Sequence, residues 1–351
     1  MPVSQYMELC LTHPRYGYYT TLDPFGTSGD FTTAPEISQM FGELIGLWAA
    51  SVWGVMGEPQ ALNLVELGPG RGTMMADIMR AVKIVPAFRE AVSVHLVETS
   101  RSLRERQKES LAEVDRPILW HAMLQDVPRG PAIYLANEFF DALPINQMVR
   151  QPDGWHERMI DLDEYGDFKY VIGSDPAPQF DLTVPRHLRD APVDSIYEWR
   201  SPVVALELGR RLQAGGAALI IDYGHLRSAL GDTLQAVRRH RFDDPLMGPG
   251  LADLSAHVDF EALTMNATQF GARAYGAIDQ GSFLLALGID KRAAALRLKA
   301  TAETAAAISI AFERLIAPNQ TGMGAMFKVL GLCHPSVPIL PGFGNAAPGT
   351  I

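Results

Sequence analysis

The most informative segment of the sequence is Leu62-Asn-Leu-Val-Glu-Leu-Gly-Pro-Gly-Arg-Gly-Thr73. It begins as a short apolar run that includes the β-branched Val65, and it then breaks into glycines at alternate positions, Gly68, Gly70 and Gly72. A buried parallel strand that turns into a helix has this pattern. Glycines remove side chains where the backbone must bend sharply and approach a bound molecule closely. The stretch therefore predicts a strand, a ligand-binding turn and a helix.

The residues around the glycines distinguish between two classes of nucleotide ligand. A dinucleotide fingerprint requires Gly or Ala three residues after its second glycine, where this chain has Thr73. Glu66, two residues before the first glycine, would repel a pyrophosphate and attract an α-amino group. The pattern favours S-adenosylmethionine and resembles motif I of class I methyltransferases. A purely structural strand-to-helix turn is the alternative.

Length and composition indicate a globular protein with a large core. The chain has 351 residues, of which 47% are apolar and 20% charged, so one α/β core with insertions is expected. The net charge of -10 disfavours a nucleic-acid partner. Cys10 and Cys333 lack metal-ligand spacing, so no metal site is predicted. Since no targeting segment or membrane-spanning run is recognised, a reducing, cytoplasmic location is expected.

Strand-like segments alternate with helix-like segments after the glycine turn, which predicts a doubly wound α/β sheet. We divide the chain into an N-terminal helical or lid segment at 1–61, a core at 62–335 and a loose Pro/Gly-rich tail at 336–351. The core carries insertions at about 147–200 and 225–320. The first insertion alternates like a β-hairpin or meander, and the second ends in a helical lobe. The stretches from 184 to 201 and from 225 to 265 are predicted as loops.

Polar residues that follow the predicted strands are candidates for cofactor binding, because open α/β sheets bind ligands at the carboxyl ends of their strands. Glu98 occurs at the interval where a doubly wound fold places an acid on ribose hydroxyls, with a solvated strand-end acid as the alternative. The loop before the core could form a lid, with turn and capping chemistry as the alternative. The predicted cofactor-binding residues are Glu66, Gly68, Gly70, Gly72, Glu98, Gln125, Asp126, Asn137, Asp30 and Thr32.

The segment after the fourth predicted strand is the first candidate for the transfer site. Glu138 and Asp141 flank Phe139 and Phe140, so two carboxylates and two rings could hold a planar cation. A guanidinium stays protonated in water, so an enzyme that methylates it needs carboxylates to orient it and to accept a proton. The alternative is that the aromatic residues belong to the core and the acids begin a helix.

A second candidate pair for catalysis is His257 and Asp259, which lie on either side of Val258. On a strand they would share one face, as a general base and the carboxylate that orients it would. Packing for the histidine and helix capping for the aspartate are the alternatives. The candidate catalytic residues are therefore Glu138, Asp141, His257 and Asp259.

Assembled in order, these stretches resemble the MidA family, whose mitochondrial members are complex I assembly factors acting as protein arginine methyltransferases. The matching segments are Tyr16-Gly-Tyr-Tyr19, Gly29-Asp-Phe-Thr-Thr-Ala-Pro-Glu-Ile-Ser38, Glu66-Leu-Gly-Pro-Gly-Arg-Gly72, Asn137-Glu-Phe-Phe-Asp-Ala-Leu-Pro144, Ile221-Asp-Tyr-Gly224, His257-Val-Asp-Phe260 and Met323-Gly-Ala-Met-Phe-Lys-Val-Leu330. The resemblance implies a class I methyltransferase (Rossmann-like) fold, mostly parallel with an antiparallel last strand. It also implies S-adenosyl-L-methionine as cofactor and transfer to arginine nitrogen, extending to symmetric dimethylation of a respiratory complex I subunit.

The resemblance does not extend to location, because no transit peptide is recognised and the chain looks like a bacterial-type member. The expected partner is an arginine-containing protein, with no nucleic acid and no membrane span. Two rival functions stay open. One is a non-catalytic, cofactor-binding assembly factor, and the other is an NAD-dependent oxidoreductase, against which Glu66 and Thr73 count.

Overall fold

The computed structural model describes residues 1–21, 33–239, 241–319 and 322–344, which fall into two compact units. The sheet unit takes its described residues from Thr32–Phe140, Val203–Gly224 and Leu263–Ile351. The meander unit takes its described residues from Met1–Phe31, Asp141–Pro202 and His225–Ala262. Each unit is therefore assembled from three separate parts of the chain.

Helices and strands cover most of the described chain. The strands are β1 Leu62–Leu67, β2 Val92–Val97, β3 Ile118–His121, β4 Ala132–Asn137, β5 Ile145–Gln151, β6 Gly154–Leu162, β7 Phe168–Pro176, β8 Ile196–Arg200, β9 Gly216–His225, β10 Gln235–Arg238, β11 Arg241–Asp243, β12 Asp253–Ser255, β13 Val258–Asp259, β14 Arg273–Asp279 and β15 Phe327–Cys333. The helices are α1 Val3–Thr12, α2 Tyr18–Thr21, α3 Ala34–Ile37, α4 Gln39–Val55, α5 Thr73–Ala81, α6 Pro86–Ala91, α7 Arg101–Ser110, α8 Val203–Leu212, α9 Phe260–Ala267, α10 Gln280–Ala286, α11 Ile289–Arg297 and α12 Ala302–Ile316. Within the described ranges, no helix is both long enough and apolar enough to cross a bilayer.

The sheet unit is built on a doubly wound sheet. Seven strands follow the order β14-β15-β9-β4-β1-β2-β3. Strand β1 pairs in parallel with β2 on one side and with β4 on the other, and β4 pairs in parallel with β9. Strand β15 lies antiparallel between β9 and β14. This order confirms the class I methyltransferase fold predicted from the sequence, including the antiparallel last strand.

Strand β1 is an interior strand of the sheet, between β4 and β2, and it has buried apolar residues on both faces. Leu64, Val65 and Leu67 are all buried, as expected of a parallel strand that is covered on both sides. Helix α4 packs against α5 and contributes the fully buried Phe41 and Trp48 to the same core. The glycine turn between β1 and α5 is therefore anchored by well-packed elements before and after it.

A buried carboxylate holds three helices of the sheet unit together. Glu43 on α4 accepts hydrogen bonds from Arg80 Nη1 at 2.8 Å and from Arg292 Nε at 2.7 Å. Burial by itself would raise the pKa of Glu43, but the two guanidinium groups lower it overall. The charge is thus kept in a buried position by two partners, one at the end of α5 and one on α11.

The meander unit contains two antiparallel sheets, ordered β7-β6-β5-β8 and β11-β10-β12. Strands β5 to β7 correspond to the predicted inserted meander. The prediction of loops at 184–201 and 225–265 is wrong, because these stretches contain β8 and the strands β10 to β12. These strands have three to five residues, and β8 forms by pairing with β5 in the register Met148↔Tyr197. Such short segments carry too little alternation to be recognised without their partners.

The C-terminal segment differs from the loose tail that its Pro and Gly content predicts. Val337, Leu340 and Phe343 are all buried in the core of the sheet unit. A Cβ atom on Gly331 of β15 would lie 2.7 Å from the ring of Phe343, so the glycine leaves the space that this ring occupies. The described part of the tail is held by apolar packing, which its composition does not reveal.

Candidate functional site

The glycine turn after β1 has a backbone that favours glycine at three positions. Gly68, Gly70 and Gly72 have φ angles of 60°, 53° and 82°, in the left-handed region that side chains disfavour. A Cβ atom on Gly68 would also lie 2.9 Å from the ring of Phe139. The ring of Phe139 is therefore packed against the turn, which brings the segment after β4 to the same place.

Glu66 on β1 is a buried carboxyl group with an unsatisfied oxygen. Its Oε2 has no hydrogen-bond partner among the residues that the structure describes. Burial raises the pKa of Glu66 to about 8, so the carboxyl group is mostly protonated at neutral pH when no cation lies beside it. Buried polar groups are nearly always satisfied, and a perturbed, unsatisfied acid is typical of a functional site. A cationic ligand group, such as an α-ammonium, fits this oxygen.

The strand register places three predicted cofactor-binding residues on one face of the sheet. Glu66 is aligned with Leu96 on β2 and with Leu135 on β4. Because side chains alternate along a strand, Glu98 and Asn137, two residues further on, point to the same face as Glu66. All three lie at the carboxyl ends of neighbouring strands, the position at which open α/β sheets bind ligands. The structure thus brings Glu66, Glu98, Asn137 and the glycine turn together.

Glu98 and Asn137 are held in place by contacts of their own. Glu98 is buried, and its Oε1 accepts a hydrogen bond from the backbone N–H of Ser100 at 2.7 Å. Burial raises the pKa of Glu98, and this effect prevails over the hydrogen bonds from Ser100 and Gln107, which lower the pKa. Asn137 donates to Oε1 of Glu138 at 3.1 Å, and its own Oδ1 is a second buried oxygen that lacks a partner within the described ranges.

The sequence interpretation missed Gln107 on α7. This fully buried amide donates to the carbonyl oxygen of Gly70 at 2.8 Å and to Oε2 of Glu98 at 3.3 Å. Its Oε1 accepts from the indole N–H of Trp120 at 2.9 Å. The available signal was its spacing of four residues from Leu103, which places it on the buried face of an otherwise charged helix.

The remaining predicted cofactor residues are placed differently. Gln125 and Asp126 are exposed in a 3₁₀ turn after β3. The Asp126 carboxylate caps that turn by accepting from the backbone N–H of Met123 at 3.1 Å. Asp30 and Thr32 lie outside the described residues.

Glu138, the first catalytic candidate, begins the segment after β4 with an uncommon backbone conformation. Its φ is 50°, in the left-handed region, which is strained for a residue with a side chain. The carboxylate Oε1 accepts from the backbone N–H of Ala34 at 3.1 Å as well as from Asn137. Backbone strain of this kind is concentrated at functional sites, and the catalytic role of Glu138 stays a prediction.

Asp222 is a further buried residue that the site prediction left out. Its Oδ2 accepts from the backbone N–H groups of Phe139 at 3.2 Å and Phe140 at 3.0 Å, and its Oδ1 from that of Tyr223 at 2.9 Å. This carboxylate on β9 therefore fixes the segment that carries Glu138 and the two rings. The ring of Phe139 meets that of Phe140 edge to face, with centroids 5.4 Å apart.

The other three catalytic candidates, Asp141, His257 and Asp259, belong to the meander unit, whereas Glu138 belongs to the sheet unit. Asp141 is buried, and its carbonyl oxygen accepts from Ala256 N–H at 3.1 Å. The His257 carbonyl oxygen accepts from Arg200 Nη1 at 2.6 Å.

Asp259 has contacts that match the capping alternative. Its Oδ1 accepts from the backbone N–H of Ala262 at 3.0 Å, in the first turn of α9, and its Oδ2 accepts from Ser228 Oγ at 2.6 Å. The Nε2 atom of His225 lies 4.0 Å from the same Oδ2. The structure therefore gives Asp259 a capping role and places His225, which the sequence did not single out, beside it.

Comparison with known proteins assigns the chain to a family. Residues 44–278 match a family described as S-adenosyl-L-methionine-dependent methyltransferases. The chain belongs to this family. This methyltransferase is 38% identical over 344 residues to the mitochondrial protein arginine methyltransferase NDUFAF7 of Danio rerio, covering 91% of the chain and 81% of that relative. It is 39% identical over 315 residues to the Homo sapiens protein of the same name, covering 83% of the chain and 70% of the relative.

A solved structure supports the same assignment. A Burkholderia thailandensis protein bound to S-adenosyl-homocysteine superimposes on this methyltransferase with a TM-score of 0.84 and 26% identity. The match covers 100% of this chain and 92% of that one. S-adenosyl-L-methionine is the cofactor of this methyltransferase, as the sequence predicted, and the rival assignment to NAD chemistry is dropped. Within the part of the chain that the structure describes, no cluster of His, Cys, Asp and Glu has the composition of a metal site.

Proposed function

We propose that this methyltransferase transfers the methyl group of S-adenosyl-L-methionine to arginine side chains of a protein. The support is that relatives named as protein arginine methyltransferases match the chain over 70% to 81% of their own length. We also propose a more specific substrate: the protein symmetrically dimethylates an arginine of a respiratory complex I subunit. This part of the proposal rests on the resemblance to the MidA family. A cytoplasmic location is part of the proposal, because Cys10 and Cys333 are both free thiols.

The observation that supports cofactor binding at this place is the unsatisfied Oε2 of Glu66, which lies beside the three glycines with left-handed backbone. In this proposal the Glu66 carboxylate accepts from the α-ammonium group of the cofactor, and Glu98 accepts from its ribose hydroxyls. The glycine turn lets the backbone approach the cofactor closely, because no side chain intervenes. The cofactor-binding core is proposed to be 62–335 with insertions at about 147–200 and 225–320, since β1 begins at Leu62 and β15 ends at Cys333. Helix α4 and the described tail pack into the same core from outside these bounds, and the part of the second insertion from Leu263 onwards belongs to the sheet unit.

On the acceptor side, Glu138 is the carboxylate that we propose to orient the guanidinium and receive its proton. The cofactor supplies a sulfonium-bound methyl group that an in-line nucleophile displaces, so the protein acts mainly through position and charge. A guanidinium must lose a proton for methylation, and a carboxylate in contact with it accepts that proton. Asp222 keeps Glu138 and Phe139 in a fixed segment through its bonds to the backbone. Asp141, His257 and Asp259 remain candidates from sequence, and the hydrogen bond from Ala262 to Asp259 favours a capping role for that residue.

The first experiment is calorimetry with S-adenosylhomocysteine and the purified protein. We expect binding by the wild type and none by Gly70→Val, because valine is strained at a φ of 53°. The matched control is Gly54→Val on α4, where an added Cβ meets nothing within 4 Å. If Gly70→Val binds S-adenosylhomocysteine as tightly as the wild type, the proposed cofactor-binding site is wrong.

The second experiment identifies the acceptor. Lysate from a strain that lacks the enzyme is incubated with the protein and a cofactor carrying a trideuterated methyl group, and modified peptides are located by mass spectrometry. Label on protein arginine supports the proposal. Label on lysine or on a small molecule would overturn the arginine assignment, and cofactor binding without any transfer would favour the non-catalytic assembly factor.

A further inference from the structure

Gln107 connects three elements that meet at the proposed cofactor-binding site. It lies on α7, is completely buried, and contacts the glycine turn through Gly70, the end of β2 through Glu98, and β3 through Trp120. The indole N–H can only donate and the Gly70 carbonyl can only accept, so the amide has one orientation that satisfies all three contacts. Its side chain is therefore locked.

Packing alone does not explain an amide at this position. Burying an amide is unfavourable unless its hydrogen bonds are made, and a leucine or methionine would fill a similar volume without that cost. The bonds that Gln107 donates go to two residues of the proposed cofactor site, Gly70 and Glu98. These bonds control the direction of a carboxylate and the shape of a turn.

We propose that Gln107 is a positioning residue for the cofactor, which turns the Glu98 carboxylate towards the ribose hydroxyls and ties it to the glycine turn. The inference rests on the proposed function, in which Glu98 accepts from the ribose. Oε1 of Glu98 accepts from Ser100 N–H and Oε2 accepts from Gln107, and the backbone N–H of Thr99 also donates to this carboxylate. Loss of Gln107 removes the side-chain amide that joins Oε2 of Glu98 to the glycine turn, so the plane of the carboxylate is held less firmly.

The test uses Gln107→Met, which keeps the length of the side chain and removes its hydrogen bonds. Affinities are measured by calorimetry for S-adenosylhomocysteine and for its analogue with a 2′,3′-dideoxyribose. We expect the variant to bind S-adenosylhomocysteine about tenfold more weakly, the loss typical of one hydrogen bond to a charged group. The affinity for the dideoxy analogue should change much less, since it lacks the hydroxyls that Glu98 accepts from. Gln269→Met, at an exposed glutamine of the sheet unit, is the matched control.

Two outcomes would overturn the proposal: an unchanged affinity for S-adenosylhomocysteine, and an equal loss for both ligands, which would show a general structural role. A double-mutant cycle adds an independent check, because Gln107→Met should have almost no further effect in a Glu98→Gln background. Additive losses would also overturn it. If Gln107→Met does not fold, Gln107→Asn replaces it, since the shorter amide cannot reach Gly70 and Glu98 together. Failure of the wild type to bind S-adenosylhomocysteine would instead refute the proposed function itself.

Discussion

The carboxylate of Glu138 accepts a hydrogen bond from the backbone N–H of Ala34 at 3.1 Å. The contact joins two segments that resemble the MidA family but lie 104 residues apart in the chain. A second hydrogen bond involves the same N-terminal segment: Thr73 Oγ1 donates to Oε1 of Glu36 at 2.6 Å. The short helix α3 is thereby tied both to the end of β4 and to the start of α5. This arrangement gives a structural reason for Glu36 in a segment that composition alone would class as a turn.

The first prediction separates cofactor binding from transfer at Glu138. Glu138→Gln keeps an oxygen that can accept from Ala34 but removes the charge that receives the proton. We expect affinity for S-adenosylhomocysteine to stay within about twofold of wild type, while the transfer rate falls by about 100-fold or more, as for the loss of a general base. Calorimetry and a labelled-methyl assay measure the two quantities. Equal rates in the variant and the wild type would remove Glu138 from the transfer step.

The second prediction concerns protons released when the cofactor binds. Burial raises the pKa of Glu66 to about 8, so at pH 7 the free protein carries a proton there that the unfolded chain would lack. An ammonium group beside the carboxyl lowers that pKa, so binding at pH 7 should release close to one proton. The affinity should therefore rise between about pH 6 and pH 8 and then level off, as the free carboxyl ionises.

Proton release can be measured by calorimetry at pH 7 in two buffers that differ in ionisation enthalpy. The observed binding enthalpy should differ between the buffers for the wild type and agree between them for Glu66→Gln, whose amide cannot titrate. The same carboxyl should make the ligand-free protein less stable as the pH rises from about 4.5 to about 8, because its folded-state pKa is raised. A stability of the ligand-free protein that rises over this interval for wild type relative to Glu66→Gln would contradict the assignment.

The parts of the structure that the sequence predicted are those with a local physical signal. The run from Leu62 to Thr73 combines continuous apolar residues with glycines that only a tight turn requires, and Gly68, Gly70 and Gly72 indeed have positive φ angles. Glu66, Glu98 and Asn137 could be chosen because each sits at or near the end of a recognisable strand. Doubly wound topology then brings such ends together without any knowledge of side-chain contacts.

The parts that could not be predicted depend on partners far away in the chain. Strand β8 forms because it pairs with β5. Asp222 holds the segment after β4 because it accepts hydrogen bonds from two backbone N–H groups that lie 82 and 83 residues away in the chain. Gln107 could not be recognised from the sequence because it lies on a charged helix, and its hydrogen-bond partners Gly70 and Trp120 lie 37 and 13 residues away in the chain. For Asp259 the sequence left capping and catalysis open, and the hydrogen bond from Ala262, which only the structure shows, favours capping.

The third prediction tests Asp222 as the residue that fixes the segment after β4. Asp222→Asn keeps the shape of the side chain but can turn an N–H group towards the N–H groups of Phe139 and Phe140. At a fully buried position this should lower the free energy of unfolding by about 1 to 3 kcal/mol. Transfer should fall as well, because Glu138 shares the segment. Denaturant unfolding measures the first effect, and a variant as stable as wild type would show that these bonds contribute little.

The fourth prediction tests whether Asp259 caps α9 or takes part in the transfer step. If Asp259 caps α9, Asp259→Ala should lower the free energy of unfolding by about 1 kcal/mol, because the N–H of Ala262 and the hydroxyl of Ser228 both lose their acceptor. Asp259→Asn should recover most of this loss, since asparagine also caps helices well. Both variants should transfer methyl groups at close to the wild-type rate when assayed well below their unfolding temperature. A rate that falls about 100-fold in both variants while their stability is unchanged would support Asp259 as a catalytic residue, because a base or its orienting carboxylate would show that combination and a helix cap would not.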